Sequence, residues 1–291
     1  MHTKDPAVII TTHDPMSGEL ITPDEENHKN ATYTHPLMPR LVTVESVTPL
    51  TARMVRIRVV GEDLKSLRSV APEDHVKVFF DRDAQGAPVL PGVVGDRWVD
   101  GRSMTSRDYT IRDANPAEGW MDLDFVLHDH GVAGRWAGTA QPGEQLALLG
   151  PRGSFRVKDV FDWYVLAADE TSLPALARWV GGLRPEAKVF AFVEVNDGAD
   201  EIELHSPADL TVTWLHRNGA PAGGTDLLEQ AVKSQQLPSG EGFVWVAGES
   251  MSIKPLRRYL KNDLGLDRDN WDVDGYWRRG QADHDHHHDE D

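Results

Sequence analysis

The chain contains no cysteine in its 291 residues. That removes disulfides, thiolate zinc centres, ordinary iron–sulfur ligation and cysteine nucleophiles together. Redox chemistry here must come from a bound organic cofactor or from a His/carboxylate metal site. A basic surplus is lacking too: 30 Lys and Arg stand against 47 Asp and Glu, a formal net charge of −17. Such a balance argues against nucleic acid or an anionic membrane surface as partner. No run approaches the ~18 apolar residues that a spanning helix needs. The opening "MHTKDPAVIITTHDP" has too short an apolar patch for a secretory signal. The expectation is a soluble, cytoplasmic protein. Also missing are G-x-x-x-x-G-K-[ST], G-x-G-x-x-G and H-E-x-x-H, and no Ser–His–Asp set or catalytic carboxylate pair is defensible from spacing.

What is present is enough apolar material for proper cores, 40% of residues with nine Trp, in a chain longer than the usual single domain. Residues 1–36 are polar and Pro-broken, and read as a flexible N-terminal segment. From Leu41 the pattern becomes regular. "LVTVESV" and "MVRIRVV" alternate as two strands joined by "TPLT", and "HVKVFF", "RDYTIRD", "DLDFVLH" and "QLALLGP" follow between Gly, Pro and Asp turns. Six short strands with little helical periodicity predict an antiparallel barrel over 37–160. Beyond it, "WYVLAA", "KVFAFVEV", "LTVTWLH" and "GFVWVAGE" alternate with the helical stretches "TSLPALARWVGGL", "TDLLEQAVKSQQL" and "SIKPLRRYLKNDLG". Strands alternating with helices predict a mostly parallel α/β domain over 161–280. The acidic tail 281–291 carries His284, His286, His287 and His288. A solvated tail lacks the orienting partners of a tuned metal site, so no metal is expected there.

The stretch "RDYTIRDANPAEGWMDLDFVLHDHGVAGRWAG" concentrates the chemistry. Arg107 and Tyr109 share parity on a strand and project to one face, while Asp108 and Thr110 take the other. A guanidinium can fork onto a diphosphate, and a phenol ring offers a flat surface to a flat cofactor ring. From these letters alone an ordinary barrel strand, with a surface Arg and a half-buried Tyr, is the first reading. Downstream, Gly131 and Gly134 lie where backbone can approach a phosphate, just ahead of a short helical turn. In the second half, "AADETSLPA" runs from a strand end into a helix, where open α/β sheets bind ligands. Thr171 and Ser172 read there either as a helix cap or as a cap that also meets a nicotinamide cofactor. "VAGES", with Gly248 and Glu249, ends a second strand.

In order and spacing, "HVKVFF", "RDYTIR", "DFVLHDHGVAGRWA", "PGEQLALLGPRGSF", "LAADETSLPALARW", "VWVAGE" and "GYWRRG" resemble the siderophore-interacting proteins, from about Leu41 to Gly280. These are FAD-dependent ferric-siderophore reductases of the ferredoxin-reductase-like superfamily. The resemblance implies a two-domain protein with an FAD-binding barrel and a nicotinamide-nucleotide-binding-like α/β domain. It implies that Arg107 grips the FAD diphosphate, Tyr109 stacks on the isoalloxazine and Thr110 hydrogen-bonds near the flavin N5. His128, Gly131, Val132, Ala133 and Gly134 would wrap the diphosphate, with Trp136 close by. Family members often carry Pro-Ala-Ser in this loop where Val132-Ala133-Gly134 stand, so a hydroxyl contact is absent. Lys77, Arg135, Arg278 and Arg279 would meet an anionic ferric siderophore, although each also reads as a solvated or ion-paired side chain. NADH or NADPH would supply electrons. A ferredoxin or flavodoxin donor, and a non-enzymatic carrier of siderophore or flavin, are the alternatives.

Overall fold

The computed structural model describes residues 10–11, 29–99, 103–129 and 131–281. The chain divides into two compact units, one ending at Val157 and one beginning at Lys158. In the first, the strands are β1 (Ile10–Thr11), β2 (Asn30–Thr34), β3 (Pro39–Pro49), β4 (Met54–Val60), β5 (His75–Phe79), β6 (Val93–Val94), β7 (Arg97–Trp98), β8 (Ser106–Asn115) and β9 (Trp120–Val126). A short helix, α1 (Val132–Ala137), precedes β10 (Gln145–Leu149) and β11 (Gly153–Val157).

The six strands expected from alternation close an antiparallel barrel in the order β10-β3-β4-β9-β8-β5. Alternation dictates the result: Val42, Val44, Val55, Ile57, Val59, Val76 and Val78 turn inward and are buried, with polar neighbours facing out. The β3–β4 register shifts between Val44 and Ser46, a bulge of the kind that lets a small barrel bend. Arg40 is buried at the barrel end, where it donates to the carbonyls of Met38, Gly150 and Asp63.

Two segments differ from the sequence reading. Asn30–Thr34, read within a flexible stretch, forms β2, which pairs with β1 and antiparallel with β11. Gly153–Val157, beyond the last strand read for the barrel, forms β11 in that separate three-stranded sheet. The physical reason is tertiary. Tyr33 is buried there, and His35 Nε2 lies 2.7 Å from Ser154 Oγ, contacts that no local pattern announces. The tail histidines lie outside the described residues.

The second unit runs β12 (Trp163–Asp169), α2 (Leu173–Gly182), β13 (Lys188–Val195), β14 (Asp209–His216), α3 (Leu227–Ser234), β15 (Gly242–Glu249), α4 (Ser250–Arg258) and β16 (Trp271–Trp277). Its five strands are all parallel, in the order β14-β13-β12-β15-β16. Central β12 and β15 are buried along their whole length, as strands covered on both faces must be. Strand β16, which the sequence reading did not separate, alternates buried Trp271, Val273 and Gly275 with half-buried Asp272 and Asp274. The chain leaves β12 toward β13 and β14, then returns through α3 to β15 on the other side. That reversal creates a crevice at the carboxyl ends of β12 and β15. Among the described residues no helix is long and apolar enough to cross a membrane.

Candidate functional site

In the barrel unit the β5–β8 ladder sets Arg107 opposite Val78 and Tyr109 opposite Val76. Residues directly opposite share a face, so both side chains lie on the inner side of the barrel wall. Tyr109 rests on Phe125, ring centroids 4.0 Å apart and planes 35° apart, and stays half-buried. One ring face is thus backed by the core. Burial pushes its phenol far above the ordinary range, with Arg107 opposing, so it is neutral at physiological pH. Arg107 Nη1 donates to the carbonyl of Ser106 at 2.6 Å, which holds the guanidinium beside its own strand. Thr110, opposite His75, is buried on the outer side.

Helix α1 is attached to the same place. Trp136 packs on Phe125 at 5.5 Å and Phe80 at 5.9 Å, and its indole N–H donates to Glu144 at 3.0 Å. Phe125 therefore touches both Tyr109 and Trp136, and this joins the Arg-x-Tyr-Thr strand to the Gly-rich turn. Gly131 precedes the helix with φ +77°, a conformation that favours glycine. At Gly134 a Cβ would lie 2.8 Å from the carbonyl oxygen of His128. Glycine is needed there for that close approach, whatever the turn binds. Val132 is half-buried, Ala133 is buried, and His128 and Arg135 are exposed. A guanidinium, a core-backed phenol and a turn of small residues opening a helix are the donor set a flat, diphosphate-bearing cofactor requires, so these residues fit FAD.

Of the basic residues expected to meet substrate, Lys77 is paired with Asp108, Nζ to Oδ2 at 2.8 Å, on the outer side of the wall. Arg278 is half-buried after β16, and Arg279 is exposed, its backbone N–H donating to Glu249 at 3.0 Å. Lys77 and Arg135 belong to the first unit, Arg278 and Arg279 to the second.

At the carboxyl ends of the parallel strands the second unit gathers groups that sequence reasoning largely missed. Asp169, at the end of β12, accepts from Thr171 N and Oγ1 at 2.9 and 2.6 Å and from the Trp277 indole N–H at 2.7 Å. Ser172 is fully buried and its hydroxyl donates to Ala247 O at 2.6 Å. It ties α2 to β15 and presents nothing to solvent. Thr171 remains half-buried at the helix start. Glu249 receives the amide N–H of Met251 and of Ser252, at 2.9 and 2.8 Å, and so caps α4. Beside them Arg217 is held between Glu170 and Glu194. Burial lifts both carboxyls above their usual range, and Arg217 opposes that shift. The signals were the "DET" following one strand and the "HRNG" following another.

Comparisons with known proteins agree with this architecture. Residues 43–155 match the siderophore-interacting FAD-binding domain, and residues 161–280 match the siderophore-interacting protein domain. Ferric vibriobactin reductase ViuB of Vibrio cholerae is 31% identical over 254 residues, covering 86% of this chain and 93% of that protein. The NADPH-dependent ferric-chelate reductase of Escherichia coli is 34% identical over 224 residues, covering 75% and 85%. The crystal structure of a siderophore utilization protein from T. fusca superposes with a TM-score of 0.84 at 46% identity, covering 89% of this chain and 99% of that one. With both halves matched in order and relatives aligned along most of their length, the chain belongs to the siderophore-interacting protein family.

Proposed function

We propose that this protein is an FAD-dependent ferric-siderophore reductase, an oxidoreductase acting in iron uptake. The observation that carries the reading is Phe125, which touches both Tyr109 on β8 and Trp136 on the short helix that Gly131 precedes. The named activities of the ferric-chelate-reducing relatives support the same conclusion.

When bound, FAD supplies the redox chemistry, taking two electrons from NADH or NADPH and delivering them singly to iron(III). The chain's own residues position it. Arg107 would fork onto the diphosphate, and the amides from Gly131 to Gly134, with His128, would surround it. Tyr109, backed by Phe125, would carry one face of the ring system, with Thr110 beside it in sequence. No side chain has to serve as acid, base or nucleophile. Each domain offers basic side chains for an anionic chelate, Lys77 and Arg135 in one and Arg278 and Arg279 in the other. Lys77 contributes least, because Asp108 already neutralises it. Siderophore oxygens are hard donors that hold iron(III) better than iron(II), so reduction loosens the metal. Nicotinamide donors are supplied in the cytoplasm, which supports a reaction there.

The test is a visible absorption spectrum of the purified protein, followed by anaerobic addition of NADH and NADPH in parallel, with a ferrous-iron trap present. Flavin bands that bleach, with steady iron(II) release from a ferric siderophore, are expected. Bands that persist with both nucleotides but bleach with a reduced ferredoxin or flavodoxin would move the donor to a protein. A protein that cannot be loaded with FAD would overturn the reading.

A further inference from the structure

We infer that residues 219–224 form a lid over the carboxyl edge of the parallel sheet, that Trp277 latches it, and that the nicotinamide donor enters only when it lifts. The inference rests on the reductase reading for the presence of that donor, and goes beyond it in naming what gates its entry.

In an open parallel sheet a dinucleotide lies outside the carboxyl ends of the strands, where strand order reverses. Here that place is between β12 and β15. The chain itself covers it from two sides. Trp277 ends β16, with β15 standing between it and β12, yet its indole N–H donates at 2.7 Å to Asp169 Oδ2 at the end of β12. The bond crosses the end of β15 at Gly248, where a Cβ would lie 3.0 Å from the same oxygen. Glycine at that position leaves room for the two ends to meet.

From the other side comes "GAPAGG", Gly219–Gly224, shortly after β14, the strand at the far edge of the sheet. It nevertheless reaches the ends of β15 and β16. A Cβ on Gly223 would lie 2.5 Å from Glu249 Cγ and 3.2 Å from the Trp277 ring, and one on Gly224 would lie 3.2 Å from Arg279 Nη1. The segment thus runs along the carboxyl edge and seats on Glu249, Trp277 and Arg279.

Its build suits a part that lifts. Posts hold both ends: Arg217 is buried on Glu170 and Glu194, and Thr225 Oγ1 donates to Glu194 at 2.8 Å. Between the posts Gly219 and Gly223 have φ of +90° and +64°, and glycine can leave such conformations for others at little cost. Among the described residues, 219–224 makes only the hydrogen bonds of its own turns, Ala220 N–H to Arg217 O at 3.1 Å and Gly224 N–H to Pro221 O at 3.0 Å. Contact alone therefore keeps it on the edge, and a segment so held opens at low cost. The strong bond in the closed arrangement is the one from Trp277 to a carboxylate, which fixes the ring that Gly223 seats on.

The experiment is calorimetric titration of the FAD-loaded full chain with redox-inert tetrahydro analogues of NADH and NADPH, in the parent and in Trp277→Phe. The variant keeps a ring and loses the N–H donor. A ligand that needs the open form binds more weakly in proportion to the open fraction. Losing the latch is therefore expected to tighten binding about three- to tenfold. Amide hydrogen exchange across 219–224 should quicken in the variant, with β12 exchanging as in the parent. If Trp277→Phe does not fold, judged by its melting curve, Gly223→Ala gives the same reading, because its methyl group has no room on Glu249. Binding that is unchanged or weaker in a folded variant, exchange at 219–224 as slow as in the parent, or binding of neither analogue overturns the inference. Ferric-siderophore reduction by dithionite-reduced parent protein is measured alongside. Its failure would sink the reductase reading, while the titrations would still decide the lid.

Discussion

Arg107 shows how little one residue means until its neighbours are placed. Parity put it on the same face as Tyr109, and the ladder with Val76 and Val78 fixes that face as the inner one. In the proposed site its charge is the one the FAD diphosphate would feel most directly. Arg107→Ala is expected to weaken FAD retention about tenfold or more, read as flavin absorbance left after gel filtration, with little change in melting temperature. Retention equal to the parent would remove Arg107 from the site. Asp272 offers a test of stability. Burial first, and Asp274 second, push its carboxyl up to about 6 from an ordinary 3.8, while Arg268 and Arg257 pull the other way. The sign follows from proton counting. Between those values the unfolded chain has released the proton that the folded chain keeps, so stability falls as pH rises from about 4 to about 6 and stays lowered above that. Asp272→Asn should therefore raise the melting temperature at pH 7.5, by an amount equivalent to at most about 3 kcal/mol, and leave it unchanged near pH 3.5. An identical pH profile in the variant would show that Asp272 does not titrate in this window.

At the scale of the element, α1 shows a short helix held by one side chain. Its six residues have too few internal hydrogen bonds to persist alone, and Trp136, lodged on Phe80 and Phe125 with its N–H on Glu144, provides the anchor. Its first turn, against His128, has no spare room. A methyl group at Gly134 would sit 2.8 Å from a backbone carbonyl and 2.9 Å from the His128 ring. Gly134→Ala should cost about 1–3 kcal/mol of stability and also release FAD, because the turn has to shift. Differential scanning calorimetry beside a flavin assay checks both. A variant that melts earlier yet keeps its flavin would separate the turn from the cofactor. In the second unit α2 is fastened differently, with Asp169 accepting from its first turn and Ser172 bonded across to β15. A cap and a tie account for "DETS" without a ligand.

For the whole molecule the question is how a chain with a net charge of −17 handles an anionic substrate. Overall repulsion would make kcat/KM rise with added salt, because screening weakens it over about a Debye length. Local attraction by Arg135, Arg278 and Arg279 would make it fall. The proposed basic groups predict a fall, roughly two- to fivefold between 20 and 300 mM salt, for an anionic ferric chelate and none for a neutral one. Arg278→Ala should flatten the dependence. A rise with salt would show that the global charge dominates and that these arginines do not receive substrate.

Sequence alone determined most of the elements and the order of the two domains. Period-two alternation in "MVRIRVV" and "HVKVFF", and the switch to helical period after "WYVLAA", are imposed by burial on one face and are readable in a line of letters. The Arg-x-Tyr-Thr strand and the Gly131–Gly134 turn were legible for the same reason, since each is a local pattern. Tertiary structure decided what depends on distant partners. It made Asn30–Thr34 a strand, because β11 lies across from it. It turned Ser172 into a buried tie and put Lys77 on Asp108. It also brought Glu170, Glu194 and Arg217 together from the ends of three strands, where burial makes an unpaired charge costly and pairing nearly obligatory. Spacing along a chain does not encode that meeting; the order of strands in the sheet does.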